Sequence, residues 1–333
     1  MEAATALARL DLHTTGLQPS SSLRGALWPA LLAFVKEDFR MITPPSRVAT
    51  GCVCVPMNGS PSTHILKPDA PRLWGSVQNE AFCLTLARRM KIPTPSVTTG
   101  QAGKRTYLLV KRFDRTEVSG RWRRLHQEDY CQALGKPPSA KYEANQTGIR
   151  GPALKDMFEL TRRHMSSIDI VHLLDMVVVN VLACNTDAHA KNYAITIRGN
   201  GASIAPMYDL MCGEVWGNVT KTLAQKIAGK SRGDQLNGGD WQQFARECGL
   251  NPRQVLDRVG TLAKSALAEA EAAASVVAAM PAGTHEVVDQ TREVVERRAR
   301  ILLGQLQELG GDPVKAAGKA GTAVAEEECS NLR

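Results

Sequence analysis

The alternation of apolar and polar positions becomes regular only from Thr63 onward. Upstream, residues 1–61 hold Ser20-Ser21-Ser22, the Pro44-Pro45 pair and one apolar segment at 27–35, a pattern that predicts irregular backbone. His64-Ile65-Leu66-Lys67-Pro68 reads as a short strand stopped by proline. Residues 79–92 place Ala81, Phe82, Leu84, Leu86, Ala87 and Met90 at helical spacing, and Pro93 ends the run. Tyr107-Leu108-Leu109-Val110 predicts a second strand that runs into Lys111-Arg112-Phe113-Asp114-Arg115. A strand, a helix, a strand and a polar crossing segment describe a small mixed lobe.

Beyond a hairpin-like stretch at 121–124 the period becomes mostly helical. Helices are predicted over 127–134, 149–163, 167–184, 240–247, 252–279 and 284–309. Two short strands at 194–197 and 203–204 flank the turn signal Gly199-Asn200-Gly201. The alanine-rich part, 264–279, keeps one face through Leu267, Val276 and Val277 and reads as helix. Residues 311–333 lose periodicity and read as a flexible tail. The expected class is α+β with two lobes, the first a small mixed β/α lobe and the second mostly helical.

Composition narrows the function only slightly. Hydrophobic residues make up 43% and charged residues 22%, an ordinary balance for a globular domain in water. No run approaches the roughly 20 apolar residues of a membrane helix, and no secretory leader is evident, so the expected location is cytoplasmic with no membrane contact. Of eight cysteines only Cys52 and Cys54 lie close together, which argues against a disulfide framework or structural zinc. The net charge of +8 suits nucleic acid, ATP or an acidic protein equally. With 5% aromatics and no zinc-finger spacing, stacking platforms for single strands are not expected.

Chemistry concentrates in Asn185-Thr186-Asp187-Ala188-His189-Ala190-Lys191-Asn192, between a long apolar helix and a short strand. Phosphoryl transfer asks a protein chiefly for positioning and charge neutralisation. Asp187 can orient an attacking hydroxyl and accept its proton, and Asn192, five residues on, can coordinate magnesium without adding repulsion. Lys191 between them can meet a transferring phosphoryl oxygen. The strands that follow return Asp209, in Met207-Tyr208-Asp209, as a second magnesium ligand. The plainer account of Asp187 and Asn192 is that they cap and turn the chain. His189 suits either nucleotide contact or holding the loop in shape. A phosphate-binding lysine should come from a small-lobe strand and pair with a helix carboxylate, which fits Lys67 and Glu80.

These pieces together resemble the HipA family, serine/threonine kinases that act as toxins of type II toxin–antitoxin modules. The resemblance runs from about residue 62 to 309. It is carried by Pro61-Ser62-Thr63-His64-Ile65-Leu66-Lys67-Pro68, Asn79-Glu80-Ala81-Phe82-Cys83, Val110-Lys111-Arg112-Phe113-Asp114-Arg115, the stretch from Leu125-His126-Gln127-Glu128-Asp129 to Gly135, the loop at 185–192, and Ala205-Pro206-Met207-Tyr208-Asp209-Leu210. It implies a protein-kinase-like fold, with the small lobe and hinge at 62–115 and the helical lobe at 116–310. By resemblance, Lys67 with Glu80 holds the ATP phosphates, and the backbone of Lys111, Arg112 and Phe113 forms the hinge that pairs with adenine. Asp114 lies near ribose, and His189 lies near nucleotide. Asp187 is the catalytic base assisted by Lys191, and Asn192 and Asp209 hold Mg2+. The implied substrates are aminoacyl-tRNA synthetases, notably the glutamyl enzyme. The implied partner is a HipB-like helix-turn-helix antitoxin, through which operator DNA would be reached.

Two departures accompany the resemblance. Relatives of full length carry a longer segment ahead of the glycine-rich loop, so the N-terminal subdomain that meets the antitoxin is expected to be largely absent. The family's loop reads approximately Ser-x-x-Gly-x-Gln-x-Lys, and the best match is Ser22-Leu23-Arg24-Gly25-Ala26-Leu27-Trp28-Pro29. Ser22 is then the autophosphorylation serine and Gly25 the phosphate-loop glycine. Leu27 and Pro29 replace glutamine and lysine, and proline removes a backbone donor where phosphate oxygens need one. An inactive kinase that binds nucleotide or an antitoxin is the alternative this leaves. A small-molecule phosphotransferase shares the acidic spacing but not the motifs at 112–115 and 125–135.

Overall fold

A short apolar strand with one inward lysine sets the geometry of the small lobe. The computed structural model describes residues 61–310 apart from Asn200. The candidate phosphate loop with Ser22 and Gly25, and the tail at 311–333, lie outside the described residues. Strand β1 (His64–Pro68) pairs antiparallel with β3 (Arg105–Lys111), which pairs with β2 (Val97–Ala102). Side chains alternate across a strand, and directly paired residues share a face. Lys67 stands opposite Leu108 and Ile65 opposite Val110. Leu108 and Val110 are buried, so the lysine enters the covered side of the sheet.

Strand β2 is an addition to the expected strand, helix, strand order. Its sequence, Val97-Thr98-Thr99-Gly100-Gln101-Ala102, has no apolar alternation to announce it. A side chain at Gly100 would strike the Tyr107 ring, its cross-strand partner, so glycine makes room for the aromatic.

Helix α1 (Ser76–Arg89) covers the sheet and is buried from Ser76 through Ala87. It begins three residues before the predicted start, because Asp69 accepts hydrogen bonds from the Ser76 hydroxyl at 2.7 Å and the Val77 N–H at 3.3 Å. Its end is fixed by Lys91, whose φ of 67° leaves the helical region.

A ribbon of β4 (Arg115–Val118) and β5 (Arg121–Arg124) leads into a second sheet of order β6-β7-β8. Here a prediction is corrected: 127–134 is not one helix but strand β6 (His126–Asp129) followed by one turn, α2 (Tyr130–Ala133). Pairing with β7 (Ala194–Arg198) claims the backbone of β6, and Asp129 caps α2 by accepting from the Gln132 N–H at 2.9 Å. Strand β8 (Gly201–Ile204) completes the sheet. The predicted helix at 149–163 starts only at Leu154, giving α3 (Leu154–His164), because Gly151 and Pro152 precede it.

Helix α4 (Ser167–Leu182) runs through the centre of the helical lobe. Ser166 and Asp169 form its capping box, and Asp169 also accepts from the Ile204 N–H at 2.8 Å, tying the helix start to β8. Strands β9 (Thr222–Ile227) and β10 (Lys230–Arg232), absent from the expectation, form a small ribbon before α5 (Gly238–Glu247).

The two long helices, α6 (Pro252–Ala278) and α7 (Glu286–Gly310), close the lobe. The inner face of α6 is Val255, Val259, Leu262, Ala263, Ala266, Ala270, Ala273 and Val277. Its small alanines let α1 and α7 pack closely, and Arg89 on α1 meets Glu269 at 2.7 Å. Arg258 of α6 grips Asp175 of α4 with two nitrogens, at 2.5 and 2.6 Å.

The core beneath α3 and α5 is aromatic. Phe158 packs edge-on to Phe244, which packs edge-on to Trp241, and all are essentially inaccessible. Phe158→Ala is expected to cost about 3–5 kcal/mol by cavity formation. A shift of the urea unfolding midpoint at constant slope checks this.

Candidate active site

The end of α4 delivers the loop predicted to carry chemistry. Ala183 caps the helix, Cys184 turns with a φ of 52°, and the Asn185 N–H donates to the Asn180 carbonyl at 2.9 Å. The loop then closes in a 3-10 turn, Ala190–Asn192, before β7. Within it the Asn192 amide nitrogen donates to the Asp187 carbonyl at 2.7 Å, and the His189 N–H to the same carbonyl at 2.8 Å. The spacing of Asp187 and Asn192 is thus a closed turn.

Lys67, Glu80 and Asp209 meet in space. The Lys67 ammonium lies 2.6 Å from Glu80 Oε1 and 2.8 Å from Asp209 Oδ1. All three side chains are at most 15% exposed. An ammonium so nearly stripped of water needs anionic partners, and here one comes from each lobe. Asp209 has a φ of 58°, a left-handed conformation that aspartate tolerates better than most residues.

Asparagines hold these acids in register. Asn79, next to Glu80 on α1, donates to the Cys212 carbonyl at 3.1 Å and to Thr291 Oγ1 at 3.0 Å, and accepts from the Cys212 N–H at 2.8 Å. It thereby fixes the segment following Asp209 to the small-lobe helix. Asn180 donates to Tyr193 Oη and accepts from Asn185, each at 2.9 Å. Asn185 accepts from the Asp187 N–H at 3.2 Å and donates to the Asp209 carbonyl at 3.4 Å. Its one amide touches both acidic segments.

Other expected residues are placed differently. The Lys191 ammonium rests on the Asp129 carboxylate at the start of α2, and the Tyr208 hydroxyl donates to the Lys191 carbonyl at 2.7 Å. Lys191 therefore braces the loop in this conformation. His189 is 1% exposed, with Nε2 3.8 Å from Asp187 Oδ1, so its ring lies behind the loop rather than against a nucleotide. The Lys111 and Arg112 N–H groups donate to the Ser96 and Thr63 carbonyls at 2.8 and 2.9 Å. Those two N–H donors are committed to the sheet. Phe113 stacks on Tyr208, with ring centroids 5.5 Å apart.

Asp114 is clamped rather than open to a ribose. Arg112 bonds it through two nitrogens at 2.9 and 2.7 Å, and Arg115 lies 2.8 Å away. Burial opposes its charge, but the hydrogen bonds and charges of the two guanidiniums outweigh that and hold the carboxyl below its ordinary value. The thiols flanking the acidic segments are poor nucleophiles: burial pushes Cys184 up to about 11 and Cys212 up to about 12. Among the described residues, no three His, Cys, Asp or Glu side chains form a metal cage. One carboxylate and one amide, Asp209 and Asn192, suit magnesium, which keeps waters and binds substrate phosphates.

A model of the HipA-like C-terminal domain matches residues 30–270. The chain belongs to this family. It is 36% identical over 230 residues to the protein named "Putative kinase Y4mE" of Sinorhizobium fredii, covering 68% of this chain and 53% of that protein. It is 30% identical over 230 residues to the serine/threonine-protein kinase toxin HipA of Shewanella oneidensis, covering 66% and 52%. The chain thus spans about half the length of the curated relatives it matches.

The HipA chain solved in complex with HipB and operator DNA from the same Shewanella superposes with a TM-score of 0.70. That match has 24% identity and covers 84% of this chain and 72% of that one. The fold is therefore the α+β, two-lobed, kinase-like HipA fold. No helix among the described residues of this HipA-family chain is long and apolar enough to cross a membrane.

Asp129, Tyr142, Asn180 and Asn185 belong to the site and were not among the expected residues. Asn180 had a signal, a lone amide interrupting the apolar run of α4. Asp129 lay in a quoted motif but its contact with Lys191 did not show, and Tyr142 had no signal, because these contacts span 62 and 45 residues. The Asp114 clamp should contribute stability above the ordinary carboxyl value of 3.8 and lose it as pH falls through the lowered folded value. Asp114→Asn is therefore expected to lose less stability than wild type between pH 6 and 3 in urea titrations. An equal loss would refute the assignment.

Proposed function

We propose that the chain is a HipA-like serine/threonine protein kinase that uses ATP and Mg2+. The observation that carries this reading is the Lys67 ammonium bonded at once to Glu80 and Asp209. A lysine paired to a helix carboxylate, beside an acid able to hold metal, is the arrangement phosphoryl transfer requires.

Lys67, kept in place by Glu80, binds phosphate oxygens. Asn192 and Asp209 are the residues that would hold magnesium, which would supply positive charge to the ATP phosphates. Asp187 accepts the proton of the acceptor hydroxyl as that oxygen bonds to the γ-phosphorus. The bond from the γ-phosphorus to the bridging oxygen breaks, and its electron pair leaves with ADP. The substrate proposed from family likeness is an aminoacyl-tRNA synthetase, the glutamyl enzyme first, whose modification would inhibit translation. A HipB-like antitoxin is the proposed partner, with operator DNA reached through it. A site at Ser22 for phosphorylation of the chain itself belongs to the same reading.

One sequence observation favours a second reading, a pseudokinase that binds nucleotide or antitoxin without transfer. Leu27 and Pro29 stand where the family's phosphate loop carries glutamine and lysine. Incubation with labelled ATP and magnesium separates the two. Transfer to the chain or to a synthetase is expected, with Asp187→Asn and Asp209→Asn each lowering it roughly 10²–10⁴-fold. Calorimetric binding of magnesium-ATP with no transfer would establish the pseudokinase, and no nucleotide binding would end both readings.

A further inference from the structure

Asp187 must present one oxygen to an acceptor hydroxyl, yet its side chain is 52% exposed on a loop. Its backbone is well held, but a carboxylate that open can rotate. The tyrosine at position 142 meets it: the Tyr142 phenol donates to Asp187 Oδ1. The same ring packs edge-on to buried His189, with centroids 5.2 Å apart.

Tyr142 sits on an irregular segment, 138–151, that is fastened at several points. The Ala190 N–H donates to the Lys141 carbonyl at 3.1 Å, joining the segment to the catalytic loop itself. Glu143 is joined to β9, its N–H donating to the Ala224 carbonyl at 3.0 Å and its carboxylate accepting from the Lys226 N–H at 2.7 Å. Asn145 donates to the Tyr142 carbonyl at 2.9 Å and to the Ile149 carbonyl at 3.1 Å. A Cβ on Gly151 would fall 1.9 Å from the Tyr142 carbonyl oxygen, so only glycine lets the segment close there. Such fastening gives the phenol a fixed position, which a loose surface tyrosine would lack.

We propose that Tyr142 is a positioning residue for Asp187, carried on a rigid strap that forms the acceptor side of the site. The inference rests on the kinase reading above. By occupying Oδ1, the phenol directs Oδ2 to the incoming serine or threonine hydroxyl. It leaves nucleotide binding, which falls to Lys67 and Asp209, untouched.

The test uses the full chain and two readouts. Tyr142→Phe is expected to lower kcat about 10- to 100-fold, the effect of losing a hydrogen bond to a charged group, with KM for ATP unchanged. Added to Asp187→Asn, it should cause no further loss, whereas a role in folding alone would add its own. Independently of activity, the fluorine resonance of 3-fluorotyrosine at position 142, assigned by its disappearance in Tyr142→Phe, should move in Asp187→Asn. An active wild type with Tyr142→Phe equally active, additive losses in the double variant, or an unmoved resonance would each overturn the positioning role. Phosphate found on Tyr142 would overturn it too, since the phenol would then be the acceptor. A resonance that moves in Asp187→Asn while the wild type transfers nothing overturns instead the kinase reading, and the role of Tyr142 in transfer with it.

Discussion

The Lys67 ammonium is the charge around which the two lobes are organised. It is carried on the inward face of β1 by the strand's own alternation, so it cannot escape to solvent without reversing its neighbours Ile65 and Leu66. A cation held there without anions would be several kcal/mol unfavourable. Glu80 answers it from α1 and Asp209 from the segment after β8. Removing one carboxylate leaves the lysine paired with the other, whereas removing the lysine leaves two nearly buried carboxylates without a counter-charge, a change on the order of 3–5 kcal/mol. The ion group therefore serves the fold, and in the proposed function any phosphate that enters must take over part of its charge balance.

Asparagine does the connecting that charge alone could not. Its amide donates and accepts at once, so a single side chain can fix two backbones without adding net charge. Asn79 does this between the small-lobe helix, the Cys212 backbone and α7, and Asn185 does it between the Asp187 and Asp209 segments. The acids are thus placed by neutral groups, and the lysine that faces them retains its full effect. The left-handed backbone at Asp209 is met by one of these bonds, from the Asn185 amide to the Asp209 carbonyl.

The loop at 185–192 is braced on its far side by contacts of a different kind. His189 is buried behind it, Lys191 is tied to Asp129, and Tyr208 spans from the Lys191 carbonyl to the ring of Phe113. Residues that a motif suggests for nucleotide contact thus act on the loop's shape. The proposed transfer would need Asp187 fixed to within a fraction of an ångström, and side chains locked by packing provide this better than solvent-facing ones.

Much of this was legible along the chain, and the reason is local periodicity. The helices at 76–89, 167–182, 252–278 and 286–310 follow from apolar spacing and from caps such as Ser166 and Asn251, interactions that act within a few residues. Lys67, Glu80, Asp187, Asn192 and Asp209 could be singled out because their residue types and order suit one chemistry. The sequence by itself determined which groups exist and on which elements they ride. Only the tertiary structure decided that 126–129 is a strand, because its partner β7 lies more than sixty residues on. Only it decided that Asp114 is clamped by arginines, that Lys191 turns to Asp129, and that Tyr142 reaches Asp187. Each of these depends on desolvation and on partners remote in the chain, and such energies are set by the folded surroundings rather than by neighbouring residues.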